Sequence, residues 1–151
     1  MTESPTPIIV VLDTNALLPL LVGSTPRAKF LRQAWRARRF ELFITPQTLV
    51  EFERVLTYPN VQQNYALTRA DIDAVIQVLK SHARTLPGVY EGVTIVTSDE
   101  SDNVFLAAVM EAGADYVVTQ DPHMLNLKYH HGTQIISLAQ FAQLLQATSL
   151  A

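Results

Sequence analysis

Two apolar runs in this chain end on an aspartate. "PIIVVLDTN" carries Ile8–Leu12 into Asp13, and "ADYVVTQDP" carries Tyr116–Val118 through Thr119 and Gln120 into Asp121. A third acidic group, "SDESDN" at 98–103, precedes a helical pattern, and Glu51 and Glu53 lie within another at 45–56. Carboxylates brought together repel and each prefers hydration, so convergence is costly unless a cation or a shared proton compensates. With no cysteine and four scattered histidines, the chain has no thiolate ligands, no cysteine nucleophile and no disulfide framework. Hard oxygen donors of this kind suit Mg²⁺ or Mn²⁺ and disfavour zinc.

Each acid also has a plain structural reading. Aspartate is a common helix cap, and Asp121 followed by Pro122 has the form of a capped helix start, as does Asp13 before an apolar helical run. Acids in a first turn complement the helix dipole, so spacing alone does not choose between Asp99, Glu100 and Asp102. Glu51 and Glu53 both flank the stripe formed by Leu49, Phe52, Val55 and Leu56, and periodicity does not separate them.

The elements that would position these groups alternate. Ile8–Leu12 is a continuous β-branched run, the pattern of a strand covered on both faces in a parallel sheet. Residues 14–22 read as a helix despite Pro19, and Ser24 or Thr25 caps a second helix with Pro26 at its first position. "ELFI" at 41–44 reads as a strand, Thr45-Pro46 opens a helix to Leu56, and Tyr58-Pro59-Asn60 interrupts it. Thr68 and Asp71 form a capping-box variant feeding Ile72, Val75, Ile76 and Leu79. Val93–Val96 reads as a third strand, 103–112 as a helix stopped by Gly113, Tyr116–Thr119 as a fourth strand, Ile135–Ile136 as a short fifth, and Ser137 caps a last helix through Gln146. Alternation of this kind implies right-handed crossovers, and hence a single-domain α/β/α sandwich with a mostly parallel central sheet of about five strands. Ligands in such sheets bind beyond the carboxyl ends of the strands, where Asp13 and Asp121 stand.

Length and composition fit one globular domain over 1–151, with residues 1–7 and 148–151 expected to be flexible termini. No apolar run reaches the length of a bilayer span and the N-terminus lacks a basic flank, which points to a soluble, cytoplasmic protein. The net charge of −3 hides an uneven distribution, because no acid occurs between Asp13 and Glu41 while Arg27, Lys29, Arg32, Arg36, Arg38 and Arg39 all do. That segment is a candidate contact for a polyanion such as RNA, and equally a solvated helix face.

The ordered set "VVLDTNALL", "TPQTLVEFERVL", "SDESDNVFLAAVMEAGADYVVTQDPHML" and "IISLAQF" resembles the PIN domain (PilT N-terminus-like) family of metal-dependent ribonucleases, especially bacterial members that are toxin components of toxin–antitoxin pairs. The resemblance implies an acidic pocket at the strand ends made by Asp13, Glu51, Asp102 and Asp121, holding Mg²⁺ or Mn²⁺, with Asn15 and Thr119 supporting it by hydrogen bonds. It thus favours Glu51 over Glu53 and Asp102 over Asp99. The chain departs from the family where Asp99-Glu100-Ser101 replaces a proline-containing approach and where Gln120 replaces a glycine. The implied activity is endoribonuclease cleavage, in which the ion acidifies a bound water, orients it in line and neutralises the leaving oxygen. An antitoxin protein and a second copy of the chain are the implied partners.

Three rivals share the acidic rim. A phosphohydrolase acting on small phosphate esters begins with Asp-x-Asp after its first strand, but here that third position is Asn15. Receiver domains pair adjacent early acids and use a late lysine, neither of which is visible. A non-catalytic RNA-binding or scaffold protein with a degenerate pocket is the third.

Overall fold

Alternation along the first strand builds the layers. Val10 and Leu12 are buried in one apolar cluster and Val11 in another, so β1 (Ile8–Leu12) has a covered face on both sides. In the computed structural model, which describes residues 7–90 and 100–149 and the side chains of 7–90 and 103–147, this strand sits near the centre of the sheet.

The chain continues through α1 (Thr14–Val22), α2 (Pro26–Arg36), β2 (Phe40–Ile44), α3 (Pro46–Leu56), α4 (Pro59–Asn64), α5 (Arg69–His82) and β3 (Arg84–Thr85). It then forms α6 (Glu100–Ala112), β4 (Tyr116–Val118), α7 (Pro122–Leu125), β5 (Tyr129–His130), β6 (Thr133–Ile136) and α8 (Leu138–Ser149). The sheet order is β3-β2-β1-β4-β6-β5, parallel throughout except for the β5–β6 pair. This is the mixed α/β single domain with a mostly parallel sheet that alternating elements imply.

One face of the sheet presents Val10, Leu12, Phe40, Leu42 and Val118 to α1, α2 and α8, where Leu20, Leu31, Phe141 and Leu145 are fully or nearly fully buried. The Phe40 and Phe141 rings meet edge to face at 4.9 Å and 76°, a favourable arrangement of their quadrupoles. The other face places Val11, Val117 and Ile135 against Phe105, Leu106 and Val109 of α6 and Met124 of α7.

Local signals in the sequence set several helix starts. The Thr25 side chain accepts from the Ala28 N–H, Thr45 and Thr48 form a reciprocal capping box, and Thr68 and Asp71 form another; each satisfies N–H groups that a helix start leaves orphaned. Pro59, which reads in the sequence as an interruption, is the first residue of α4, a position where its missing N–H costs nothing. Among the described residues six strands form; four match the expected ones, and the other two, β3 and β5, are two residues each and too short to show a period. Helix α6 starts at Glu100, earlier than the apolar pattern shows, since its first turn is polar. The strand read at Val93–Val96 and the residue Asp99 lie outside the described residues. Among those described, no helix is long and apolar enough to cross a membrane.

Pairing fixes the rim. β1 and β4 align Leu12 with Val118; the Asp13 N–H donates to the Val118 carbonyl at 2.9 Å and the Thr119 N–H to the Ile136 carbonyl at 3.0 Å. Asp13 and Thr119 therefore emerge side by side at the carboxyl end of the sheet.

Candidate active site

Asp13 is both a cap and a cleft residue. Its Oδ1 accepts from the Thr14 N–H at 2.7 Å, closing the start of α1, and its Oδ2 accepts from the Thr119 hydroxyl at 2.9 Å. The residue is 6% exposed, and two directed donors fix the orientation of its carboxylate. The Thr119 hydroxyl, itself fully buried, also accepts from the Asp121 N–H at 3.1 Å. One side chain thus ties the first aspartate to the backbone of the last.

Asp121 repeats the pattern in the turn from β4 to α7. Its Oδ1 accepts from the His123 N–H at 2.9 Å as the cap of α7. Asn15 braces the same rim, since its Oδ1 accepts from the Gln120 N–H at 2.9 Å and lies 3.4 Å from the Thr119 hydroxyl. Gln120 is held from the other side, its Oε1 accepting from the Leu138 N–H at 3.2 Å.

Asp13, Glu51 and Asp121 line one cleft of about 370 Å³, together with Thr14, Asn15, Arg54, Tyr58 and Phe105. Glu53, two residues from Glu51, is exposed and is not part of its lining. The backbone of Glu100 and Asp102 belongs to the first turn of α6, whereas their side chains lie outside those described. Among the described residues, no three His, Asp or Glu side chains approach closely enough to hold one ion by themselves. The donor set nevertheless fits a hard cation, which keeps several waters and needs only one or two carboxylates. The Thr14 hydroxyl is a further oxygen at this cleft; it is buried and, among the described residues, has no hydrogen-bond partner.

Arg54 and Tyr58 are cleft residues that the acid pattern alone does not reveal. From α3, the Arg54 Nε donates to Glu51 Oε2 at 3.2 Å, its Nη2 donates to Glu51 Oε1, and its Nη1 donates to the Tyr58 hydroxyl. The hydrogen bond to Glu51, followed by the charge of the same carboxylate, raises the Arg54 pKa further. The available signal was the three-residue spacing of Glu51 and Arg54, which puts both on one helix face.

The cationic segment is divided. Arg32 donates to the carbonyls of Leu20 and Gly23 at 2.7 and 2.8 Å, closing the end of α1. Arg39 donates to the Leu145 carbonyl and lies over the Phe30 ring. Arg36 and Arg38 line a separate groove of about 710 Å³ between α2, β2 and α5, and Arg27 and Lys29 are exposed on α2. The groove and the acidic cleft share no lining residue.

The profile of the PIN domain family matches residues 9–123. The chain belongs to the PIN-domain family. Among solved structures, this PIN domain is similar to PAE2754 from Pyrobaculum aerophilum, with 18% identity over 93% of this chain and 90% of that one and a TM-score of 0.59. It is also similar to VapBC2 from Rickettsia felis, solved bound to a DNA fragment from their promoter, with 12% identity over 86% of this chain and 98% of that one and a TM-score of 0.56. At these identities the likeness shows the shared fold. A search of curated proteins finds no match.

Proposed function

We propose that this PIN domain is a divalent-cation-dependent endoribonuclease and the toxin of a toxin–antitoxin pair. The observation that carries the reading is the convergence of Asp13, Glu51 and Asp121, distant in sequence, on one cleft at the strand ends. Membership of a family whose domains are generally nucleases supports hydrolysis, and the likeness to VapBC2 supports an antitoxin partner.

Asp13 and Asp121 would hold Mg²⁺ or Mn²⁺, with Asp102 and Glu51 completing the acidic set that the family motif implies. The bound ion would supply Lewis-acid charge and a more acidic water. The chain's own contribution is orientation. Thr119 and the Thr14 N–H fix the Asp13 carboxylate, the His123 N–H fixes one oxygen of Asp121, and Asn15 holds the backbone between them. A cleft with this many acids repels an RNA backbone, so attraction has to come from cations elsewhere. Arg27, Lys29, Arg36 and Arg38 are exposed and supply it, while Arg32 and Arg39 add charge but direct hydrogen bonds to backbone carbonyls. A homodimer, as the family resemblance implies, would bring two such surfaces together.

The test is cleavage of labelled single-stranded RNA with Mg²⁺ or Mn²⁺ by the wild type, Asp13→Asn and Asp121→Asn, beside an aryl phosphate as a small ester. Loss of several kcal/mol of charge stabilisation corresponds to a fall of about a hundredfold or more in either variant, with chelation abolishing the rest. Equal cutting by all three proteins, or faster turnover of the ester than of RNA, overturns the assignment.

A further inference from the structure

Among the described residues, Arg54 is the one cation that lines the acidic cleft. It engages both oxygens of Glu51, Oε1 through Nη2 and Oε2 through Nε, in a two-pronged grip from one helical turn away. Its remaining Nη1 is held by the Tyr58 hydroxyl, and its guanidinium carbon lies 5.6 Å from the centre of the Tyr58 ring. The Glu51 side chain is 17% exposed and that of Arg54 is 53% exposed, so the pair sits at the cleft mouth with the acid on its inner side.

A carboxylate with both oxygens on a guanidinium has its two convergent lone pairs occupied and keeps only the outward-facing one on each oxygen. We propose that Arg54 is a tethered counter-ion of the cleft, which a divalent cation has to displace from Glu51 before that carboxylate can turn its convergent lone pairs to the ion. The inference rests on the cation reading given above and concerns its regulation. Without a cation, Arg54 lowers the mutual repulsion of Asp13, Glu51 and Asp121 and stabilises their convergence. On displacement, Tyr58 keeps the guanidinium at the mouth instead of releasing it to solvent. The cost of breaking the pair raises the cation concentration at which the cleft fills, and so sets a threshold for the site.

Isothermal titration with Mn²⁺ alone, without RNA, reads this directly. Arg54→Gln removes the competitor and is expected to tighten Mn²⁺ binding about threefold to fivefold, the range of a partly exposed ion pair. Arg54→Lys keeps the charge but loses the two-pronged grip, and is expected to fall between the wild type and Arg54→Gln. Unchanged or weaker binding by Arg54→Gln overturns the inference. So does an Arg54→Lys protein indistinguishable from the wild type, because distant repulsion would then account for the effect. An absence of saturable Mn²⁺ uptake by the wild type would instead overturn the cation reading, and this inference with it. Thermal unfolding of each variant checks that the fold is retained.

Discussion

Thr119 shows how much of the rim depends on one small side chain. Its hydroxyl donates to Asp13 and accepts from the backbone of Asp121, with no exposed surface. Thr119→Val preserves the shape and removes both bonds, leaving a buried acceptor on Asp13 and a part-buried N–H of Asp121 with one partner fewer each. Unmet groups of this kind cost about 1–3 kcal/mol, so the urea midpoint of the variant should fall. A less firmly oriented carboxylate should also lower the proposed RNA cleavage, by about tenfold for a loss of roughly 1.4 kcal/mol in the transition state. Thr119→Ser retains the hydroxyl and should recover most of both. A Thr119→Val protein equal to the wild type in cleavage would remove Thr119 from the site.

At the scale of elements, Glu111 clips the segment after β3 to helix α6. Its carboxylate accepts from the N–H groups of Gly88, Val89 and Tyr90 at 2.8, 2.6 and 2.9 Å, and the Gly88 bond leads the causes that hold its pKa below the usual value. A depressed folded pKa stabilises the protein above the unfolded value, about 4.3 for glutamate, and that stability is lost as pH falls through the folded value. Urea unfolding of the wild type and Glu111→Gln should therefore show the wild type ahead at pH 7 and the gap closing in acid. A gap independent of pH would mean that the clip is not ionic. Elements of this kind differ in how legible they are. Thr45-Pro46 and Thr68 with Asp71 announce their helices because a cap acts within a few residues. The bond between Thr119 and Asp13, which are 106 positions apart, depends on the register of β1 against β4, which no local pattern encodes. Spacing likewise left Glu51 and Glu53 equivalent, and only packing of α3 turns one into the cleft and the other to solvent. The two-residue strands β3 and β5 are too short to carry a period.

For the whole molecule, the larger of the two apolar clusters joins α8 to the sheet. Phe141 is fully buried and its ring meets Phe40 of β2, which ties the C-terminal helix to an early strand. Phe141→Ala should cost about 3–5 kcal/mol, and at roughly 2–4 °C per kcal/mol for a domain of this size the melting temperature should drop by about 10 °C or more in calorimetry. A change of only a degree or two would show that α8 is a loosely attached appendage.

The two outer strands, β3 and β5, are two residues each, and the uncovered margin of β2 at Phe40–Leu42 forms the floor of the groove between α2 and α5. Sheet growth from copy to copy needs a long, flat, accessible border, and the outer strands among the described residues are too short to offer one. Among the described residues, continuing the ladder from copy to copy is therefore disfavoured at both flanks of the sheet.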